Sequence, residues 1–171
     1  MATTRILNIG DLHPVLRRID NFNGQLTEQF AATMWASVLD MEREVVERTP
    51  VGTGYSPTGN LRGSIFSEVY GTPVGLYGAV ATPALYGICV ELGTKPHWPP
   101  PGALTDWVRL VLGVEEDEVP SVEFLIRRKI ARVGTDGQLM FEKGYQASEP
   151  KILRMFLAAF RRVAKAIGGG S

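Results

Sequence analysis

Residues 25–48 read QLTEQFAATMWASVLDMEREVVER, and this stretch decides the fold. Leu26, Phe30, Met34, Val38, Met41 and Val45 recur every three or four residues. That spacing places their side chains on one face of an α-helix. Trp35, Leu39 and Val46 widen the face, while Glu42, Arg43, Glu44 and Glu47 mark the wet side. Such a helix, roughly 36 Å long at 1.5 Å per residue, carries one whole side of a core. It stops at Thr49-Pro50, since the residue before a proline is pushed out of the helical region. Phe30, Met34 and Val38 are expected to pack against a hairpin and the last helix.

Upstream, residues 3–9 suit a short edge strand. Leu12, Val15, Leu16 and Ile19 sit at helical spacing, with a helix start close to Pro14, and Asn23-Gly24 reads as a turn or cap. Downstream, VGTGYSPTGN at 51–60 is turn-rich and reads as a mobile surface loop. It is not a phosphate cradle. No Gly-Lys-Ser/Thr follows it, and Pro57 stands where a dinucleotide fingerprint needs glycine. Residues 61–70 then read as a strand, Gly71-Thr72-Pro73 as a turn and residues 74–82 as the return strand. The glycines of the return strand leave its register weakly specified.

Residues 86–101, YGICVELGTKPHWPPP, change character half-way. The first half is apolar and suits burial, and Glu91 is its one charge. Gly93 breaks the pattern, and Pro96, Pro99, Pro100 and Pro101 hold the remainder extended. A stiff loop of this kind suits a contact surface better than a catalytic pocket. Glu91 reads either as a catalytic carboxylate or, as favoured here, as the partner of a nearby arginine or a helix end.

Residues 102–112 are helical, with Leu104, Trp107, Val108 and Leu112 on one side. An acidic connector, 114–120, leads to a helix capped by Ser121. Val122, Leu125, Ile126, Ile130 and Val133 form its buried stripe, Arg127, Arg128 and Arg132 lie outside, and Gly134 stops it. Residues 135–144 read as a loop. The last helix runs from about Glu149 to Ile167 with Pro150 in its first turn. Ile152, Met155, Phe156, Ala159, Val163 and Ile167 point inward, and Arg154, Arg161, Arg162 and Lys165 outward. The expected fold is α+β, with a long N-terminal helix and C-terminal helices packed on a small, mainly antiparallel sheet. Residues 1–167 form a single domain, and 168–171 a flexible Gly/Ser tail.

A length of 171 residues and an apolar share of 44% suit one domain with a sizeable core. Basic and acidic side chains balance at 18 each, so bulk charge does not suggest a nucleic-acid binder. Their distribution is uneven. Residues 1–120 carry 8 basic and 14 acidic side chains, a net of −6, and residues 121–171 carry 10 and 4, a net of +6. A split of this kind bears on association rather than on fold.

Cys89 is the one cysteine, which leaves no intrachain disulfide. No apolar run has the length of a membrane span, and the N-terminus lacks a signal-peptide pattern. A soluble protein made in a reducing compartment, with no membrane partner, is expected. His13 and His97 have no further ligand at metal spacing, so neither a metal nor another cofactor is expected. Neither a nucleophile–base pair nor paired carboxylates outside the connector stand out. A non-enzyme is the expectation.

Three short motifs nevertheless follow one another in order: Thr49-Pro50-Val51-Gly-Thr-Gly, then Thr58-Gly-Asn-Leu-Arg-Gly-Ser64, then Tyr86-Gly-Ile-Cys-Val-Glu-Leu-Gly-Thr94. Gly134-Thr-Asp-Gly137 and Met140-Phe141 come later. The series resembles the head–tail joining proteins of tailed bacteriophages, known as neck, tail-completion or minor tail-component proteins. The match spans roughly residues 22–160. Gly87 stands where alanine is commoner, and the insertion around Tyr55-Ser56-Pro57 lengthens the loop.

The resemblance implies a structural virion protein of the neck or tail, made in the host cytoplasm. It implies a homo-oligomeric ring of six or twelve copies around the passing genomic DNA. Its neighbours would be head-completion, tail-terminator or tail-tube proteins. The matched motifs and the adjoining loops are expected to supply the subunit or partner interface, at Tyr55, Asn60, Leu61, Arg62, Glu91, Thr94, Lys95, Pro96, His97 and Trp98. Arg62 and Glu91 are expected to lie near each other or to bridge subunits. The loops 50–60 and 94–101 are expected to order only on assembly, with Tyr55 and Trp98 as anchors. The alternative from a different class is a small nucleic-acid-binding module that grips phosphates with its basic C-terminal helices.

Overall fold

The first helix, α1, spans His13–Arg48 and is 36 residues long. It belongs to a computed structural model that describes residues 13–51, 59–72 and 75–168. The strand expected at 3–9 and the loop tip around Tyr55 lie outside the described residues. α1 runs unbroken through Asn23-Gly24, where the sequence suggested a turn. One helix-interior glycine costs only about 1 kcal/mol, too little to stop a helix of this length.

The inward side of α1 is rotated from the expected one. Val38 and Val45 are buried as anticipated, but so are Thr33, Ser37 and Asp40, while Trp35 and Leu39 are exposed. The helix has two partners, and the last helix lies along the side that carries the small hydroxyl residues. The buried hydroxyls turn back on their own helix. Thr33 Oγ1 donates to the Gln29 carbonyl at 2.8 Å, and Ser37 Oγ to that of Thr33 at 2.7 Å. Burial therefore leaves neither group unsatisfied.

After α1 a single helical turn, α2 (Asn60–Gly63), buries Leu61 completely. The strand expected from residue 61 begins later. Strands β1 (Phe66–Thr72) and β2 (Gly75–Ala81) form an antiparallel hairpin, with Val69 opposite Gly78 and Tyr70 opposite Tyr77. The two tyrosine rings stack on the outer face at 5.7 Å. Gly78 faces α1, where an added Cβ would sit 2.3 Å from Val38 Cγ1 and 2.8 Å from Met34 Sδ. The glycine does not loosen the register as the sequence suggested. It lets the hairpin close onto α1.

A short helix, α3 (Gly87–Leu92), leads into β3 (Gly93–Thr94). Helices α4 (Thr105–Leu112) and α5 (Val119–Val133) follow. α5 starts two residues before Ser121, with Pro120 in the first turn, where the missing N–H costs nothing. Strand β4 (Thr135–Asp136) pairs antiparallel with β3, and α6 (Met140–Gly168) closes the chain.

α6 begins nine residues before the expected Glu149 and carries Pro150 inside it. The residues read as a loop are its first turns. They pack firmly, with Met140 and Gly144 against Val45 and Ser148 buried. That packing extends the helix on the N-terminal side of a proline that usually ends one.

The architecture is α+β, with a long N-terminal helix, C-terminal helices and two small antiparallel sheets. The apolar interior has two parts. One gathers Val45, Leu61, Ile65 and Met140, with Val80, Tyr86, Val90 and Phe141 around them. The other lies between α4 and α5 and comprises Leu104, Val108, Val119 and Ile130. The expected packing of Phe30, Met34 and Val38 is observed. Phe30 contacts the Phe156 and Phe160 rings of α6 at 6.1 and 5.4 Å, and Met34 and Val38 meet the hairpin at Gly78.

Candidate assembly interface

The residues of the third sequence motif sit at the seam between the two packed regions. Glu91, near the end of α3, serves as the partner of a helix end. Its Oε2 accepts the N–H of Phe141 at 2.9 Å, and its Oε1 that of Glu142 at 3.1 Å. Both N–H groups belong to the first turn of α6, where no intrahelical acceptor exists and the helix dipole favours negative charge. The backbone adds to the join. Gln138 N–H donates to the Val90 carbonyl at 2.8 Å, and Leu139 N–H to that of Glu91 at 3.0 Å.

Beyond the cap, β3 lies so close to β4 at Gly93 that a side chain does not fit there. A Cβ on Gly93, which adopts φ +73°, would stand 2.2 Å from the Thr135 carbonyl oxygen. Thr94 and Thr135 join their hydroxyls at 2.9 Å.

The proline-rich segment that follows is fastened to α5. Arg127 Nε donates to the Pro99 carbonyl at 2.8 Å, and its guanidinium lies 5.4 Å from the Trp98 ring centre. Trp98 meets the Phe124 ring edge-on at 5.9 Å. Buried Glu123 accepts the Gly102 N–H at 2.7 Å and the Thr105 hydroxyl at 2.6 Å. The His97 N–H reaches the Ile130 carbonyl at 3.4 Å. Segment 94–101 thus finds its ordering contacts within its own subunit, contrary to the expectation that only assembly supplies them. Trp98 folds back on α5 and still leaves half its surface open, at 50%.

Comparison of the chain with family models, with curated proteins and with solved structures finds no match. The site is therefore read from its own geometry.

The expected interface residues fall into distinct groups. Tyr55 lies outside the described residues. Leu61 is fully buried in the first cluster and has no surface to offer a partner, so its place in an interface is corrected to one in the core. Its motif neighbours Asn60 and Arg62 are exposed on α2. Glu91 and Thr94 are engaged inside the subunit, whereas Lys95, Pro96 and Trp98 are exposed and His97 is half-buried. No hydrogen bond or ion pair joins Arg62 to Glu91, whose two oxygens cap α6.

The larger exposed apolar surfaces include several residues the sequence reading placed inside. Leu85, just before α3, and Ile88 and Leu92 of α3 are 93%, 64% and 66% exposed and form an apolar ridge. Their i, i+3, i+7 spacing was visible, but the first half of 86–101 was read as suited to burial. On α5, Leu125 and Val133 were assigned to the buried stripe and stand in solvent beside Phe124. Leu112, placed on the inner side of α4, is exposed with Leu110 and Val111, and Leu153, Leu157 and Phe160, which the sequence assigned to neither side, are more than half exposed on α6.

Charge is arranged around these patches. In the acidic connector Glu116 is paired with Arg109 at 2.5 Å, and the Arg109 hydrogen bond holds its carboxyl below the ordinary value. Glu115, Asp117 and Glu118 are exposed and pair with no cation among the described residues. Arg128, Lys129 and Arg132 of α5 are likewise exposed and pair with no described carboxylate. Among the described residues no three His, Cys, Asp or Glu side chains come together as a metal site, and no helix is long and apolar enough to cross a membrane.

Proposed function

We propose that this protein is a structural subunit of the head–tail joint of a tailed phage. In this reading it is a neck or tail-completion protein that assembles into a ring around the DNA channel and has no catalytic role. The observation that carries the reading is the exposure of large apolar side chains on four elements, α3, α4, α5 and α6. Apolar patches spread in this way are unusual on a lone soluble chain and mark surfaces that other proteins cover. The ordered motif series at residues 49–54, 58–64 and 86–94 supplies the phage assignment. A ring needs two different patches per subunit, because each copy meets its neighbours through unlike surfaces.

Native mass spectrometry and negative-stain microscopy of the purified protein test this directly. Closed rings of one stoichiometry are expected. A monomer at every accessible concentration would overturn the reading. The unpaired cations of α5 favour one other reading, a nucleic-acid-binding module. A monomer whose DNA affinity falls steeply with salt would establish that alternative.

A further inference from the structure

The α4–α5 unit carries two exposed surfaces that complement each other in charge and share an apolar component. At one end, Leu110, Val111 and Leu112 stand exposed beside the unpaired carboxylates of Glu115, Asp117 and Glu118. Along the outer face of α5, from its second turn to its last, Phe124, Leu125 and Val133 stand exposed beside Arg128, Lys129 and Arg132. On α5 these residues share one side. Leu125, Lys129 and Arg132 follow at i, i+4 and i+7, and Phe124 and Arg128 at i and i+4, opposite the buried Val119, Glu123 and Ile130. Asp117 precedes α5, and Arg132 lies thirteen positions beyond the helix start at Val119, with a rise of about 1.5 Å per residue. They are roughly 20 Å from each other, so the two ends cannot satisfy one another within one subunit.

We propose that the acidic end of one copy, α4 and the connector, docks on the basic outer face of α5 in the next copy. This rests on the ring reading above and names the surfaces that would build the ring. The occupant argued for is a second copy of this chain. Phosphates would engage the three cations but leave Phe124, Leu125 and Val133 in water. The connector end offers carboxylates and apolar side chains together. Helix-dipole compensation accounts for acid at the start of α5 and base at its end, but not for exposed apolar groups beside both. A contact between unlike ends of one module is head-to-tail, and head-to-tail contacts propagate until they close.

Two triple variants test the proposal. In the first, Glu115, Asp117 and Glu118 become Lys. In the second, Arg128, Lys129 and Arg132 become Glu. All six positions are exposed, so each variant is expected to keep the wild-type circular dichroism, with a melting temperature lowered only modestly by the reversed charges at the end of α5. Alone, each places like charges across the contact and should need at least about tenfold more protein to assemble. Mixed in equal amounts, the two should assemble again, because each variant's altered end then meets the other's altered end with opposite charge. Assembly of either variant at wild-type concentration, or failure of the mixture to assemble, would overturn the proposal while leaving the ring itself standing. A wild type that never assembles removes the ring reading and this contact together. Loss of duplex DNA binding in the second variant, with its oligomeric state unchanged, would assign the face to nucleic acid instead.

Discussion

Glu91 shows how one side chain can hold two parts of a chain together. Its carboxylate caps a helix that starts fifty residues later in the sequence. Glu91→Ala strands two first-turn N–H groups and should cost about 1–2 kcal/mol in urea denaturation, with Glu91→Gln roughly half as costly. A loss below about 0.3 kcal/mol for the alanine variant would mean that the cap contributes nothing. Asp40 supplies the pH dependence. Burial alone would raise its carboxyl, but hydrogen bonds from Lys151 and Arg43, reinforced by their charges, outweigh burial and hold it below the ordinary value. A depressed carboxyl stabilises the fold fully above its unfolded value of about 4. That contribution is lost as pH falls through the folded value. Urea midpoints measured from pH 7 down to pH 3 should therefore fall in the acid limb for the wild type. They should fall less steeply in Asp40→Asn, which starts lower at pH 7. The sequence offered a helix end as one partner for Glu91 but could not say which helix. It gave no sign of the Asp40–Lys151 pair, because nothing local links residues 111 positions apart.

At the scale of the element, two helical glycines predict opposite outcomes for the same substitution. Gly24 has nothing within 4 Å of a would-be Cβ, so Gly24→Ala should stabilise by about 0.5–1 kcal/mol, the ordinary helix-interior gain. Gly144 lies where α6 crosses α1. Its Cβ would stand 2.5 Å from Val45 Cγ2 and 3.0 Å from the Val45 nitrogen, and a backbone atom cannot swing away. Gly144→Ala should destabilise by about 1–3 kcal/mol in spite of its better propensity. Thermal or urea melts of the pair would show the two signs. The helices themselves were legible from spacing, since a three-and-four repeat of apolar residues survives any packing arrangement. Their ends and inward faces were less so. The sequence left Pro120 in the connector and put Pro150 in a first turn, whereas α5 takes Pro120 into its own first turn and packing carries α6 back past Pro150. The inward arc of α1 passes through Thr33, Ser37 and Asp40 because a helix packs there, and no local pattern announces a neighbour.

At the scale of the molecule, the uneven charge visible in the sequence takes a definite form. The acidic surplus includes the connector, and the basic surplus includes the outer face of α5, so much of the imbalance lies along one helical unit. The fold class was readable because a few strong periodicities fixed it. The surfaces offered to partners were less readable. Leu61 looked like part of a motif at an interface and proved to be core, whereas Ile88 and Leu125 looked like core and proved to be surface. Apolar character says that a side chain will be covered, not whether its own chain does the covering. If the ring reading holds, the exposed apolar faces should be covered in the assembled species. Hydrogen exchange across α3 and α5 should then slow on assembly, while segment 94–101, already fastened to its own subunit, changes little.

The pairing of α1 with α6 has a consequence for synthesis. α1 ends at Arg48 and α6 begins at Met140, so the ribosome adds more than ninety residues between them. At translation rates of about 5–20 residues per second, the side of α1 meant for α6 waits roughly 5–20 s before its partner emerges. Through that interval Phe30 lacks the phenylalanines it packs against, which makes the nascent chain a client for holding chaperones until α6 arrives.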